Sequence, residues 1–430
     1  MRFEQLQDWL QWMEAQHPRQ IDLGLERIAE VARQMDLSLG MPIITVAGTN
    51  GKGSCVALLS QIFQCAGLSV GAYTSPHLLR YNERIVIDGE PVSDAALCHA
   101  FEIVDQARRG TSLTYFEFGT LAALQLFSET QPDVLVLEVG LGGRLDAVNI
   151  VDADVAVISS VDLDHQAWLG NDRETIAREK AGIMRRGRPV VFGDTRRSPA
   201  VGEMAAACLA RLIERGDDFG LEHVGDNWHW HGVNRLGQAC EMKNLPCPAV
   251  LLDNAATVIQ AIMQLPFDVP ESAIREGLRL VHIPARGECF ALRDHRLVLD
   301  VAHNPAALAR LRERLPELLE KGNVDAVFAV MADKELGESL ADFTPLVRQW
   351  YLPPLPGVER AMSPEKLKQQ LIAAGVSDAA IHMIAPLPES LAGVRAGLGK
   401  DDSLLAFGSF FTVAAVMQAM PASAFVETLH

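Results

Sequence analysis

The chain has 430 residues, too many for one typical hydrophobic core, so two or three domains are expected. Hydrophobic residues make up 49% and charged residues 22%, the mix of an ordinary folded protein in water. Acidic side chains outnumber basic ones 55 to 38; the formal charge of −17 argues against a general binder of nucleic acid or anionic membrane, and any anionic ligand needs a locally positive pocket.

Two amphipathic helices, over about 3–16 and 24–36, are expected before the first strand. The β-branched run Ile43-Ile44-Thr45-Val46 then collapses into Ala47-Gly48-Thr49-Asn50-Gly51-Lys52-Gly53-Ser54, which leads into the helical pattern of 55–63. A strand, a glycine-rich loop and a helix N-terminus aim backbone N–H groups and the helix dipole at one point, where an anion is stabilised. The glycines let the backbone approach a phosphate, and Lys52 adds a mobile positive charge. Only two residues separate Gly48 from Gly51, so the loop is a variant of the usual phosphate-binding spacing. An ordinary glycine-rich turn is the alternative.

Strand and helix signals then alternate as in a parallel α/β protein. Helix 115–127, strand 134–139, strand 155–159, helix 172–184 and strand 189–192 follow in order. Their unbroken apolar strands suit a sheet covered on both faces. Residues 195–250 carry no firm motif; Trp228, His229, Trp230, Gly232 and Gly237 suggest a small antiparallel excursion. Helices at 253–265 and 270–280 lead to Ile283-Pro284-Ala285-Arg286-Gly287, where the boundary is placed, with domains at 1–284 and 288–430. Strand 296–300, helix 306–319, strand 324–331, helix 364–374 and strand 404–407 repeat the alternation. The expected fold class is α/β in two domains: an N-terminal, phosphate-loop-type, mostly parallel sheet flanked by helices, and a smaller C-terminal Rossmann-like domain.

The seven cysteines are odd in number and scattered, which suits a reducing cytoplasm. Cys240 and Cys247 with His229 and His231 lack the short spacing of a metal site. The early Glu4 and Asp8 leave no apolar signal-peptide core. Residues 403–426 carry no charge, but Gly408, Ser409, Gln418 and Pro421 interrupt them, so a buried strand and a core helix are expected rather than a membrane span.

Candidate chemistry gathers at strand ends, where open α/β sheets place their ligands. Glu138 closes an apolar strand just before Gly140, Gly142 and Gly143, a position suited to holding Mg²⁺ beside phosphates. Ser159-Ser160-Val161-Asp162-Leu163-Asp164-His165 follows the next strand with metal-binding or acid–base capacity. Lys180 reads by default as a solvated helix lysine. In the second half, Asp300-Val301-Ala302-His303-Asn304-Pro305 again places an acid after a strand. Asn304 and Pro305 are explained by helix capping, whereas Asp300 and His303 are not.

Taken together, Ala47 to Ser54, Thr74-Ser75-Pro76-His77-Leu78, Glu138-Val139-Gly140-Leu141-Gly142-Gly143-Arg144-Leu145-Asp146-Ala147 and Asp300 to Pro305 resemble the folylpolyglutamate synthases, Mur-ligase-like ATP-dependent amide ligases. The resemblance runs from end to end with the motifs in order. The segment Leu113 to Glu117 is similar to the pterin-site sequence of the bifunctional bacterial members, which make dihydrofolate from dihydropteroate and L-glutamate and then lengthen the glutamate tail on reduced folates. The resemblance implies an ATP-phosphate loop at Thr49, Asn50, Gly51, Lys52, Gly53 and Ser54, further nucleotide contacts at Asn254, Arg286 and Asp300, and magnesium ligands at Ser75, Glu138 and His165, with two ions expected. It also implies a dihydropteroate pocket lined by Thr114, Tyr115, Phe116, Glu117, Leu145, Asp146 and Ala147. Lys180 matches a lysine that relatives carry as a carbamate.

The implied chemistry is acyl activation: the γ-phosphoryl of ATP passes to a carboxylate, and the glutamate amine displaces phosphate from the acyl phosphate. Lys52, Lys180 and His303 are the expected catalytic residues, His303 as base. The 284–287 segment is the expected hinge for closure that keeps water out. A Mur ligase proper, a non-catalytic nucleotide-binding regulator and a nucleic-acid-dependent ATPase are the competing readings. The pterin-type segment speaks against the first, the assembled Glu138, His165 and Asp300 against the second, and the net charge against the third. Small-molecule substrates, no nucleic acid, no membrane and a monomer are expected.

Overall fold

A computed structural model describes residues 2–19, 21–292, 295–319, 322–334, 336–420, 425 and 428–429. The chain separates into two compact units, Met1–His282 and Ile283–His430.

The first unit is organised by an eight-stranded sheet. In spatial order its strands are Glu90–Pro91, Ile85–Ile87, Val70–Tyr73, Val134–Glu138, Ile43–Ala47, Val155–Ile158, Pro189–Phe192 and Arg211–Glu214. Six run parallel, and the two at the Glu90–Pro91 edge are antiparallel. Ile43–Ala47 sits in mid-sheet and is buried at every position, as is Val134–Glu138, so apolar side chains face helices on both sides. On one side the helix Lys52–Cys65 packs against Leu252–Ile262 and Glu271–Leu280. Another helical layer combines Leu6–Glu14, Glu26–Gln34, Asp94–Arg108 and Tyr115–Thr130, whose core holds Trp9, Phe101 and Phe118 in mutual ring contact.

The antiparallel excursion is a separate three-stranded sheet of Gly220–Val224, Asn227–Val233 and Ala239–Pro246. Trp228 and Trp230 are fully buried, and their indole N–H groups donate to the carbonyls of Pro246 and Ala256.

The second unit has a seven-stranded sheet in the order Ile381–Met383, Gln349–Leu352, Val324–Phe328, Ser403–Phe407, His295–Asp300, Arg286–Leu292 and Thr428–Leu429. Five strands are parallel; Arg286–Leu292 and Thr428–Leu429 run antiparallel to their neighbours. Residues 403–420 form the strand Ser403–Phe407 and the helix Phe410–Ala419, as the interrupted apolar run predicts. No helix among the described residues is long and apolar enough to cross a membrane.

Candidate active site

The phosphate loop leaves the central strand at Ala47 and enters the helix Lys52–Cys65. Gly51 stands at the N-cap with φ +85°, a conformation that favours glycine. Its lack of a side chain is also steric: a Cβ there would lie 2.5 Å from Asn254 Oδ1, at the start of Leu252–Ile262. The structure thus brings Asn254 against the loop. Lys52 curls back over its own turn, its ammonium donating to the carbonyls of Gly48 at 2.9 Å and Thr49 at 3.4 Å. Gly53 and Ser54 occupy the first turn of the helix.

The loop is buttressed by the segment after the neighbouring strand Val155–Ile158. Thr49 N–H donates to the Ser160 carbonyl at 2.8 Å, and Asn50 N–H to Ser160 Oγ at 3.1 Å. The Asn50 carbonyl accepts from both serine hydroxyls, Ser159 at 2.7 Å and Ser160 at 3.0 Å. Thr49 Oγ1 donates to the Asp162 carbonyl at 3.0 Å and accepts the Asp162 N–H at 2.9 Å. Loop and buttress are therefore one hydrogen-bonded unit. His165 lies just beyond, at φ +50°, in the position before the short helix Gln166–Leu169 and without a side-chain cap to it.

Glu138, only 5% exposed, faces this loop from the strand on the other side. Its Oε2 accepts the Ser75 N–H at 3.2 Å, and it raises the neighbouring Cys55 thiol. That thiol is pushed up to about 12, first by burial and then by the Glu138 charge. The pairing of a buried carboxylate with Ser75 fits Mg²⁺, which takes one or two protein oxygens and completes its shell with phosphate and water. Among the described residues no three His, Cys, Asp or Glu side chains gather as a self-sufficient metal site. A cation here would depend on the phosphates it accompanies.

Lys180 is not a solvated helix lysine; only 3% of it is exposed, in the last turn of Arg173–Ala181. Burial pushes its ammonium down to about 7, with Lys52 acting the same way, while Asp164 and Asp146 oppose them. Asp146 is also buried; burial raises its carboxyl to about 7 against the N–H groups of Leu141 and Val148 and the charge of Lys52. Lys52, Asp146, Asp164 and Lys180 thus form one electrostatic cluster beside the loop.

The expected pterin-lining residues come together, though several have structural duties. Thr114 and Glu117 form a capping box: Thr114 Oγ1 accepts the Glu117 N–H at 3.2 Å, and Glu117 Oε2 accepts the Thr114 N–H at 2.8 Å. Glu117 Oε1 also pairs with Arg27 at 3.0 Å. Phe116 lies so close to Gly140 that a Cβ there would approach its ring to 2.6 Å, and the helix Tyr115–Thr130 packs on Ala147–Ile150. Leu145 is half-buried in the same turn as Asp146 and Ala147. Tyr115 packs edge-on to Tyr81, with the Arg84 guanidinium 5.2 Å from the Tyr81 ring and 5.6 Å from that of Tyr115. Arg84 Nε donates to His77 Nδ1 at 2.9 Å; burial first, and Arg84 second, lower His77 to about 4.

In the second unit, Arg286 and Asp300 stand opposite each other on paired antiparallel strands. Burial raises the Asp300 carboxyl, with Arg286 the chief opposing charge, and its Oδ1 accepts the Ala302 N–H at 2.7 Å. His303 Nδ1 lies 2.7 Å from the Val301 carbonyl; that oxygen can only accept, so Nδ1 carries the hydrogen and Nε2 is the basic nitrogen. Asn304 caps Pro305–Leu318 through the Ala307 N–H at 2.9 Å. Arg286 packs over the Phe410 ring at 5.5 Å.

Comparison with known proteins matches this arrangement. A model of the Mur ligase glutamate ligase domain covers residues 285–410. The dihydrofolate synthase/folylpolyglutamate synthase of Escherichia coli is 40% identical over 418 residues, spanning 97% of this chain and 96% of that protein. The chain belongs to the dihydrofolate synthase/folylpolyglutamate synthase family. Among solved structures of the family, E. coli FolC in complex with DHPP and ADP superposes with a TM-score of 0.89 at 40% identity, covering 96% of this chain and 97% of that one. A bifunctional folylpolyglutamate synthase/dihydrofolate synthase with Mn, AMPPNP and L-glutamate bound gives 0.88 at 41%, covering 97% and 98%.

The family motifs led to the loop, Glu138, Ser75 and Asp300, but sequence reasoning passed over a charged cluster behind the 159–162 buttress. Asp194 closes the strand-end turn after Pro189–Phe192 and accepts the Val161 N–H at 3.0 Å. Arg173 and Arg196 pair with it. Asp194 follows an apolar strand just as Glu138 does, and that position was its only signal.

Proposed function

We propose that this chain is an ATP-dependent ligase that joins L-glutamate to dihydropteroate, and to reduced folates, through an acyl-phosphate intermediate. The observation that carries the reading is the loop itself: Lys52, the helix N-terminus and the buried Glu138 face one point, braced by Ser159, Ser160 and Asp162. A carboxylate resists amines because its charge repels them and oxide is a poor leaving group. Transfer of the γ-phosphoryl of ATP removes both obstacles. Lys52 and the amides of Gly51, Gly53 and Ser54 would stabilise the transferring group, a preorganised electrostatic effect, while the Thr49 and Asn50 amides hold the loop to Ser160.

Ser75, Glu138 and His165 would hold Mg²⁺, which supplies charge neutralisation at the phosphates when bound. Asn254, Arg286 and Asp300 are assigned to the nucleotide. The first unit is read as the ATP- and pterin-binding domain and the second as the ligase domain. Phe116, Tyr115 and the 145–147 turn would line the dihydropteroate pocket, with Thr114 and Glu117 fixing the turn that presents them. Lys180 would serve as a carbamate: an amine lowered to about 7 is neutral often enough at physiological pH to capture CO₂. His303 Nε2 is assigned as the base that takes the glutamate ammonium proton. Seven free cysteines favour the reducing cytoplasm as its compartment.

The test is direct. With ATP, Mg²⁺ and L-glutamate, dihydropteroate should yield dihydrofolate, and a reduced folate should gain one glutamyl mass or more. Turnover of a UDP-muramoyl substrate and none of the pteroates would overturn the reading.

A further inference from the structure

Among the described residues no hydrogen bond or ion pair of Asp194, Arg173 or Arg196 runs to the phosphate loop itself, yet their bonds lead to it. The Asp194 carboxylate, only 8% exposed, accepts the Val161 N–H at 3.0 Å and the Arg196 N–H at 2.9 Å. It pairs with the guanidiniums of Arg173 at 3.2 Å and Arg196 at 3.4 Å. Both arginines also donate to the Val161 carbonyl, Arg173 Nε at 3.2 Å and Arg196 Nη2 at 2.8 Å. Arg196 reaches Asp162 Oδ2 at 3.1 Å as well. Both backbone polar groups of Val161 are therefore held by this trio. Those of the next residue, Asp162, are both held by the Thr49 hydroxyl, at 2.9 and 3.0 Å.

We propose that Arg173, Asp194 and Arg196 are positioning residues for nucleotide binding: they fix the Val161–Asp162 peptide, and through it the orientation of Thr49 in the phosphate loop. Bonds with an ionised partner are the stronger kind, and this brace is made of them. A loop held in its binding geometry beforehand binds its anion without first having to be ordered. Burial alone would raise the Asp194 carboxyl, but the Val161 and Arg196 N–H groups and the Arg196 guanidinium hold it below the ordinary carboxylate value. It stays charged, as the brace requires. Arg173 also donates to the carbonyls of Arg196 and Arg197, so a purely local role in shaping that turn is the competing account.

The inference rests on the ligase reading for its purpose, and MgADP affinity measures it without ligation. Asp194→Asn keeps the size and an acceptor for Val161 but removes the charge that gathers the guanidiniums. Its Kd for MgADP should rise roughly tenfold, and KM for ATP with it, while KM for glutamate moves by less than about twofold. In a Thr49→Val background, where the link to Asp162 is already cut, the same substitution should change the Kd by less than about twofold. Arg196 is about half exposed (56%), so Arg196→Met should disturb the fold less than a change at the buried Asp194 and carries the same test if Asp194→Asn does not fold; an increase of about threefold is expected. A lowered melting temperature with unchanged MgADP affinity would overturn the proposal, as would an equal effect in the Thr49→Val background. A parent protein that binds MgADP yet ligates nothing removes the ligase reading, while the brace stands or falls on the same titration.

Discussion

The turns at 159–165 and 300–304 each follow an apolar strand and each carry aspartate and histidine, but their bonds run in different directions. In the first, Ser159, Ser160 and Asp162 reach more than a hundred positions back along the chain to Thr49 and Asn50. In the second, Asp300 bonds the N–H of Ala302, His303 the carbonyl of Val301, and Asn304 the N–H of Ala307. The first turn supports another element; the second braces its own backbone, and its Asp300 also meets Arg286 and the Gly287 N–H of the paired strand. Similar local sequence thus yields a buttress in one place and a presented side chain in the other.

The contrast implies that damage around the first turn is felt in nucleotide binding, and damage at His303 in the second in turnover. The largest effect is expected at Lys52, the group the buttressed loop presents. Lys52→Ala should lower ligation by about a thousandfold or more in a folded protein, measured as kcat/KM for ATP. Retained ligation and nucleotide affinity would break the comparison at its root. His303→Ala should lower kcat by about a hundredfold with little change in KM for ATP. A rise in KM for ATP instead would place His303 with the first group.

The pH dependence comes next. Because the Lys180 ammonium is lowered to about 7, its neutral form, and ligation with it, should fall about tenfold for each pH unit below that value. The same depression works on stability: between about 7 and the ordinary value of 10.5 the unfolded chain binds the proton and the folded one does not. The fold should therefore gain stability as pH rises through that window, and Lys180→Met should flatten the gain in thermal melts while ligation is lost. Ser159→Ala with Ser160→Ala, which strips the Asn50 carbonyl of two donors, should raise KM for ATP roughly tenfold and spare kcat. The smallest change is expected from Asn304→Ala: loss of the cap costs about 1 kcal/mol in denaturant unfolding, with ligation close to the parent's.

Much of this was legible wherever the code is local. The strand, loop and helix at 43–65 follow from β-branched residues, glycines and a helix start in immediate succession. Asn304 and Pro305 announce a helix N-terminus and form one. Short or cross-chain features were not legible. The strands Val70–Tyr73 and Gln349–Leu352 carry no unbroken β-branched run, Gly71 interrupting one and Gln349 opening the other, and both take their place by pairing with the buried strands Val134–Glu138 and Val324–Phe328. Thr114 and Glu117 look like pocket residues from the motif alone, whereas folding uses them to close a helix end. Asn254 has an ambiguous neighbourhood in sequence and an unambiguous one in space, against Gly51. The Lys180 pattern says exposed helix; its burial comes from the glycines at 142 and 143, whose turn packs down on the end of that helix.

Cys55 sits one turn into the phosphate-loop helix, wholly buried, its thiol held far from ionising by burial and by Glu138. Alkylating reagents and peroxide act on the thiolate, so this cysteine should be inert to both despite its place beside the chemistry. Cys247, exposed just past the end of the strand Ala239–Pro246, is the thiol they should find first. A reporter dye could be attached there without silencing the enzyme.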